Sequence, residues 1–266
     1  MLKAWIQLIR PSNVLTAISD VLAGVALACL FLQSDLPQTP SLCWITLSSM
    51  LLYTGGIVFN DVFDASLDRI ERPERPIPSG RITRFSAGIL GTLAFALGCF
   101  LAYKVNLTAF YVSIAIVLMC LLYNGKAKHH FIVGPIVMGC CRGLNLLLGM
   151  ALLPVALNHW YIAIIPIIYI ASVTNISRGE VYGNNRTAIL VSMGLYAIVI
   201  LTLLYFTFIS KNFLALVFIL CFMIMISTPL FKALKTLAPQ DVRKSVKFGV
   251  LALILMNASW IAISGF

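Results

Sequence analysis

Charged residues are scarce in this 266-residue chain: they make up 11% of it, against roughly a quarter of an ordinary soluble domain. Acidic residues are the scarcer kind, with 9 Asp and Glu beside 19 Lys and Arg. Hydrophobic residues account for 61% of the chain, and the mean hydropathy is +0.98. These values exclude a soluble globular protein, because apolar residues over the whole length require the hydrocarbon of a bilayer as solvent.

Features that would indicate other protein classes are also missing. The sequence has no internal repeat with a clear period, no low-complexity tract and no linker, so we expect a single domain over residues 1–266. Its 7 cysteines form neither a CxxC motif nor a Cys/His ligand spacing, which argues against a disulfide framework and a zinc site. The basic residues are spread over loops beside apolar runs, which favours anionic membrane lipid as a partner and requires no nucleic acid.

The apolar runs predict an all-α polytopic membrane protein with nine transmembrane helices. The first run, from Val14 onward, lacks an Ala-x-Ala cleavage site and is interpreted as a membrane helix rather than a signal peptide. The predicted spans lie near residues 13–33, 42–63, 85–104, 107–124, 131–153, 159–176, 188–208, 213–231 and 246–264.

The Lys and Arg residues are distributed unequally between the two sides of these spans. Only Lys104 and Lys211 fall on one side and Arg142 falls within a span, while all the others fall on the opposite side. The positive-inside rule therefore predicts an integral membrane protein with its N-terminus in the cytoplasm and its C-terminus outside.

Acidic residues concentrate where the second predicted span ends. On a helix that advances 100° per residue, Asn60, Asp61, Asp64 and Asp68 share an arc of about 100°. Three carboxylates on one face repel each other unless a cation lies between them, and hard oxygen ligands at a membrane edge suit Mg²⁺ shared with a phosphate group. The alternative is a solvated helix end whose acids pair with the nearby Arg69, Arg72 and Arg75.

The segment Asn60-Asp61-x-x-Asp64-x-x-x-Asp68, followed by Pro73-x-Arg75-Pro76-Ile77-Pro78-Ser79-Gly80, resembles the first aspartate-rich signature of the UbiA superfamily of intramembrane prenyltransferases. The number of spans and a second polar motif after the sixth span extend this resemblance over nearly the whole chain. The resemblance implies helices around a central cavity that opens to the cytoplasmic side, with both motifs cytoplasmic. It also implies that Asn60, Asp64 and Asp68 bind a Mg²⁺-diphosphate and that the loop of Arg75 helps to cap it.

The second motif, within residues 175–186, departs from the family pattern because Glu180 is its only acid. Glu180 and Asn184 are four residues apart and can share a helical face, so one carboxylate and one amide stand where two carboxylates are expected. Arg178 and Arg186 could replace part of a second metal's charge. The string Ser-Arg-Gly-Glu-Val resembles the EboC-like branch of the superfamily, although a plain polar loop rich in Gly and Asn is the alternative.

Several polar residues within or beside the spans complete the candidate site. Arg142 lies inside the fifth span, where a charge is costly unless it faces protein, water or a partner, and Asn145 shares its helical face. Asp20 in the first span is a potential counter-charge, so a structural ion pair and a substrate-binding role are both open for Arg142. Arg10 and Asn13 match a region that lines the polar pocket of similar proteins.

Two lysines follow the fourth span. Lys126 and Lys128 could each reach diphosphate oxygens, or could simply extend from the membrane to water.

Together these residues predict Mg²⁺-dependent transfer of a prenyl group from a polyprenyl diphosphate to a lipophilic acceptor, aromatic or hydroxyl, within the membrane. The predicted catalytic residues are Asp61, Asp64, Asp68 and Glu180, with Asp61 taking the released proton. The predicted Mg²⁺ ligands are Asn60, Asp64, Asp68, Glu180 and Asn184. The predicted substrate-binding residues are Arg10, Asn13, Arg75, Lys126, Lys128, Arg142, Asn145, Arg178 and Tyr182.

Three other functions compete with this interpretation. An ion-coupled transporter would also be helical, but its binding groups usually lie near the midplane on broken helices, whereas these carboxylates lie at a helix end. A phospholipid head-group transferase would carry an Asp-Gly-x-x-Ala-Arg string, which this sequence lacks. A degenerate, non-catalytic membrane subunit of the same superfamily is compatible with the depleted second motif.

Overall fold

The computed structural model describes residues 2–37, 39–177 and 185–266, without the side chain of His129. Within these residues every regular element is helical. The α-helices are α1 (Leu2–Ile9), α2 (Pro11–Leu32), α3 (Thr39–Phe63), α4 (Ala65–Glu71), α5 (Arg84–Val105), α6 (Leu107–Gly125), α7 (Val133–Met150), α8 (Ile164–Ser177), α9 (Arg186–Ser210), α10 (Ala215–Thr236) and α11 (Pro239–Ile263). Two 3-10 segments cover Ala127–His129 and Pro154–Ala163.

The predicted nine spans are confirmed, because the described residues contain 9 helices long and apolar enough to cross a membrane. The sixth of them starts earlier than expected, at Pro154, because a 3-10 segment precedes α8. The ninth begins at Pro239 instead of near residue 246. Hydropathy misses its first two turns because they carry the charged residues Asp241, Arg243 and Lys244; the long side chains of the last two can extend towards water from a helix end.

Helix α2 lies at the centre of the bundle. It packs against α3, α7 and α11. In its most apolar stretch of 18 residues 67% of the residues are buried, compared with 28% in the corresponding stretches of α6, α9 and α10. One apolar core joins α2 to α7–α11 around Tyr169, Phe222 and Trp260. A second core joins α2 to α3 and α5–α7 around Leu52 and Phe95. The outer helices leave their remaining apolar surface for lipid.

Glycines bring α2 and α7 into backbone contact. A Cβ atom at Gly24 would overlap the carbonyl oxygen of Leu146, and one at Gly149 would overlap the carbonyl oxygen of Val21. Small residues of this kind allow membrane helices to approach closely. The close approach matters for the site, because it places polar side chains of α2 beside those of α7.

One end of the bundle, called the motif end below, holds Arg10, Phe63 and Val133. Here α1 and the loop after α4 fold over the end of α3, and Leu8, Val58, Ile77 and Ile82 pack in a small buried cluster. Gly80 adopts a φ of 73°, a left-handed conformation that glycine tolerates, and Ile82 N–H donates to the Pro76 carbonyl at 3.1 Å. The folded loop fixes Arg75 beside α3. Neither α1 nor this packing was predicted.

Candidate active site

The first acidic motif keeps its predicted helical spacing across a joint between two helices. Helix α3 ends at Phe63 and α4 begins at Ala65, so Asp64 lies between them. The backbone hydrogen bonds nevertheless continue: Asp64 N–H donates to Asn60 O at 3.0 Å, and Asp68 N–H donates to Asp64 O at 2.8 Å. The motif side chains therefore project from one nearly continuous helical path.

Each carboxylate of the motif is paired with a basic side chain. Asp61 accepts from Arg10 and, at 3.4 Å, from Arg75 Nη1. The same Arg75 nitrogen lies 2.6 Å from Asp68 Oδ2. Asp64 pairs with Lys128. The like charges of the motif are thus held close together because cations of the chain neutralise them.

The partners differ from those expected for a solvated helix end. Arg75 binds the motif, but Arg69 and Arg72 are exposed and form no ion pair within the part of the chain that the structure describes. Asp61 and Asp68 are only 2% and 3% exposed. The motif is therefore a buried ionic cluster and not a surface of freely solvated acids.

Arg10 reaches this cluster from an unusual backbone conformation. It lies between α1 and α2 with a φ of 52°. This is the left-handed region of backbone conformation, which residues other than glycine rarely adopt. Its carbonyl oxygen accepts from Asn13 N–H at 2.9 Å in the first turn of α2. The turn lets the Arg10 side chain bind Asp61 while Asn13 faces the neighbouring cavity.

The structure distinguishes the two lysines of the loop after α6. Lys128 lies in the 3-10 segment Ala127–His129, is partly buried and binds Asp64. Burial lowers the pKa of the Lys128 ammonium, and the nearby charge of Asp61 acts in the opposite direction. Lys126 is exposed and makes no ion pair among the described residues. Lys128 is therefore the better placed of the two to contact a diphosphate.

A cavity of about 200 Å³ opens beside the motif, between α2, α3, α6 and α7. Its apolar wall includes Leu52, Ile57, Ile116 and Met138. Of the predicted site residues, it is lined by Arg10, Asn13, Asn60, Arg142 and Asn145. Asn60 joins the cavity to the motif, because it faces the cavity and stands four residues before Asp64.

Asn124, at the end of α6, was not selected from the sequence. It is 4% exposed and lines the cavity, and its Oδ1 accepts from Asn60 Nδ2 at 3.0 Å. Its own Nδ2 donates to Gly56 O at 3.3 Å. The feature of the sequence that could have identified Asn124 is its polar amide side chain in the last turn of an otherwise apolar span.

Deep in the bundle, the structural ion pair proposed for Arg142 is present. Arg142 Nη1 lies 2.7 Å from Asp20 Oδ2, and its Nη2 donates to Thr16 and Tyr53. Asn145 also donates to Asp20, at 3.2 Å. Because Arg142 and Asn145 line the cavity as well, the ion pair and contact with a ligand are compatible.

Asn257 of α11 is a further member of this deep cluster that sequence reasoning missed. It donates to Asp20 Oδ1 at 2.7 Å and to Ser19 Oγ at 2.8 Å. The cluster therefore joins four helices, α2, α3, α7 and α11. No spacing in the sequence relates Asn257 to Asp20, which explains why it escaped prediction.

The motif fits Mg²⁺ by the chemistry of its donors. Asn60, Asp64 and Asp68 offer the hard oxygens that Mg²⁺ prefers, and the carboxylates already bind cations of the chain. Within the described residues no group of three or more His, Cys, Asp or Glu side chains could hold a metal by itself. Mg²⁺ usually keeps several waters and shares its coordination with substrate phosphates.

The predicted residues of the second motif, Arg178, Glu180, Tyr182 and Asn184, lie outside the described residues.

The fold and this site together define a polytopic helical membrane protein with an ionic, oxygen-rich cluster at one end of an intramembrane cavity. The family model of the UbiA prenyltransferase family matches residues 21–257, so the chain belongs to that family. The chain is similar to the digeranylgeranylglyceryl phosphate synthase of Methanothermobacter thermautotrophicus, with 32% identity over 148 residues. This match covers 54% of the chain and 49% of the relative, so the chain spans about half the length of this curated relative.

Solved structures share the fold. A UbiA homolog from Aeropyrum pernix K1 in its apo form aligns with a TM-score of 0.73 and 14% identity, over 94% of this chain and 97% of the homolog. A UbiA homolog from Archaeoglobus fulgidus, bound to GPP and Mg²⁺, aligns with a TM-score of 0.62 and 14% identity, over 99% of this chain and 100% of the homolog.

Proposed function

We propose that the protein catalyses Mg²⁺-dependent transfer of a prenyl group from a polyprenyl diphosphate to a lipophilic acceptor within the membrane. The observation that carries the proposal is the position of Asn60, Asp64 and Asp68. Asn60 lines the cavity in the last turn of α3, and Asp64 and Asp68 follow it along the helical path. Lys128 is bound to Asp64 and Arg75 to Asp68. Membership of the UbiA prenyltransferase family supports it. So does the Archaeoglobus homolog, which is bound to GPP and Mg²⁺.

The motif residues and the basic residues have complementary roles in this proposal. Asn60, Asp64 and Asp68 would hold Mg²⁺, which neutralises the diphosphate and makes it a better leaving group. Arg75 and Lys128 would move from the carboxylates to diphosphate oxygens, where charge-assisted hydrogen bonds orient the group. The C1–O bond of the prenyl diphosphate would break with its electron pair on the diphosphate. An acceptor carbon or oxygen would bond to C1 and release its proton, for which Asp61 is the predicted acceptor.

The role of Asp61 as the proton acceptor stays a prediction. Its carboxylate is 2% exposed and binds Arg10 and Arg75. This pairing favours a role in holding the two arginines at the mouth of the cavity.

The cavity is too small for both substrates. A cavity of about 150 Å³ holds a benzene ring, so the roughly 200 Å³ observed here accommodates one ring-sized group. A polyprenyl tail must therefore extend along the apolar helices towards lipid. The low water content of that environment would protect the reactive prenyl group from hydrolysis.

The transporter alternative finds less support. Among the described residues, the charged side chains deep in the bundle are Asp20 and Arg142, and they neutralise each other at 2.7 Å. The ionic cluster beside the cavity lies at the motif end, where a diphosphate would bind at the membrane surface. We also propose that residues 1–266 act as one domain, with the motif end in the cytoplasm.

The proposal is tested by incubating the purified protein in detergent with Mg²⁺, labelled geranylgeranyl diphosphate and a membrane lipid extract as the source of acceptor. We expect diphosphate release coupled to a labelled lipid product, and loss of both in Asp64→Ala or after Mg²⁺ is chelated. Asp35→Ala is the matched control, because Asp35 is exposed at the opposite end of the bundle. Absence of turnover with every prenyl chain length and extract would contradict the proposal and favour a non-catalytic membrane subunit.

A further inference from the structure

The deep end of the cavity is polar but carries no net charge. Arg142 and Asp20 are 3% and 1% exposed, and their side chains lie 2.7 Å apart. Asn145 and Asn257, which are uncharged, supply further hydrogen bonds to the Asp20 carboxylate. The guanidinium is therefore already neutralised by the protein, in a region where burying an additional unpaired charge is unfavourable.

Two hydrogen-bond donors of this cluster remain without an acceptor. Arg142 Nε–H is buried and has no partner in the part of the chain described. The Tyr53 hydroxyl accepts from Arg142 Nη2 at 2.9 Å, and no acceptor among the described residues takes its own proton. Both residues line the cavity. Arg142 Nε has no surface that a ligand could reach, whereas the half-buried Tyr53 hydroxyl faces the cavity, so a ligand oxygen that accepts from Tyr53 would gain a hydrogen bond.

Tyr53 and Arg142 lie about 10 Å deeper in the cavity than Asn60 of the motif. Tyr53 precedes Asn60 by seven residues on α3, which is about 10 Å along a helix. The Arg142 guanidinium carbon is 4.5 Å from the centre of the Tyr53 ring, so both groups belong to the same level of the cavity. A ring-sized molecule held there would extend towards Asn60 and the motif.

We propose that the Tyr53 hydroxyl, held in place by its hydrogen bond from Arg142, forms a recognition subsite for a neutral hydroxyl or carbonyl oxygen of the acceptor. The identification of this ligand with the acceptor rests on the proposed function. A phosphate or carboxylate is disfavoured at the same position, because its desolvation would not be offset by a free cation. The subsite thereby determines which end of the acceptor enters the cavity first, and Tyr53 and Arg142 act as positioning residues.

The test compares two probes with the same propylphenyl group, neutral 4-propylphenol and the larger, anionic 4-propylphenyl phosphate, by isothermal titration of the purified protein. We expect the phenol to bind at least roughly tenfold more tightly than its phosphate ester. Tyr53→Phe removes one donor and keeps the ring beside Arg142, so we expect it to weaken phenol binding by about five- to tenfold, the effect of one hydrogen bond. Tyr205→Phe, which removes an exposed hydroxyl far along α9, is the matched control and should bind as the unaltered chain does.

Turnover provides a second readout that a purely structural role would not move. In the transfer assay, Tyr53→Phe should raise KM for a phenolic acceptor while leaving KM for geranylgeranyl diphosphate unchanged. Equal or tighter binding of the phosphate ester, or identical phenol binding by the two Phe variants, would overturn the inference. A chain that binds the phenol as expected but does not bind a prenyl diphosphate would instead contradict the proposed function.

Discussion

Lys126 and Lys128 lie two residues apart, yet only Lys128 forms an ion pair with an acidic side chain in the described structure. This difference predicts unequal effects of the same substitution. Lys128→Met should raise KM for the prenyl diphosphate by roughly ten- to hundredfold, because a charge-assisted hydrogen bond to the diphosphate is lost. Lys126→Met, the matched control, should change KM by less than about twofold. Steady-state kinetics at saturating acceptor measure both, and similar effects of the two substitutions would contradict the assignment.

The buried Asp20–Arg142 pair predicts an effect on stability. Asp20→Asn would leave the Arg142 charge buried without its counter-ion, which typically destabilises a protein by about 3–5 kcal/mol. We expect the thermal midpoint in detergent to fall by about 10 °C, at a few degrees per kcal/mol for a chain of this size. Fluorescence-detected melting of the purified protein measures this shift.

Asp241→Asn is the control for this prediction. Asp241 pairs with Lys232 at 3.2 Å, and 60% of the Lys232 side chain is exposed, so the pair is screened by water. Its loss should lower the midpoint by only about 2–3 °C. If both Asn variants melted at the same temperature, the deep pair would not be the stabilising element that its burial indicates.

At the scale of helices, the crossing of α2 and α7 depends on residues without side chains. Gly24→Ala places a methyl group against the Leu146 carbonyl and should destabilise the fold by about 1–3 kcal/mol through overpacking. It should also impair transfer, because the same crossing places Arg142 beside Asp20. Gly194→Ala is the matched control on α9, where a Cβ meets nothing within 4 Å and alanine is the better helix former. Melting and turnover of the two variants are compared, and equal melting temperatures would contradict the close contact.

Individual helices were predictable from the sequence, whereas the contacts between them were only partly so. Hydropathy identifies all the spans, since each apolar run depends on local composition alone. The arc of Asn60, Asp64 and Asp68 follows from helical spacing within one segment. The basic partners of that arc do not follow from spacing, because Arg10 and Lys128 approach from other helices and only tertiary packing brings them there.

The same distinction explains the deep cluster. A charged Arg142 in the middle of a span is unfavourable without a counter-charge. Asp20 was the evident candidate, because it is an acidic residue inside another span. Asn124 and Asn257 are neutral, so they need no counter-charge and the sequence does not indicate a partner for them. Both nevertheless make buried hydrogen bonds. The EboC-like resemblance of residues 177–181 stays a prediction, as does every role assigned to the second motif.

For the molecule as a whole, the central position of α2 links the two parts of the site. Its first turns carry Arg10 and Asn13 to the mouth of the cavity, and its middle carries Asp20 to the deep cluster. A ligand that entered between these levels would contact both the motif and the neutral donors. Under the proposed function, the diphosphate would bind at the motif end and the acceptor deeper in the cavity.

This arrangement requires the motif end to face the compartment that supplies the diphosphate, and the positive-inside rule predicts the cytoplasm. Cysteines introduced one at a time into a background with both exposed native cysteines replaced, Cys43→Ser and Cys221→Ser, test the prediction with a membrane-impermeant maleimide. Ser79→Cys lies in the exposed loop at the motif end and should react only after the cells are permeabilised. Asp35→Cys is exposed at the opposite end and should react in intact cells. Labelling of Ser79→Cys but not Asp35→Cys in intact cells would reverse the topology, because both positions are accessible to water and differ only in the side of the membrane they face.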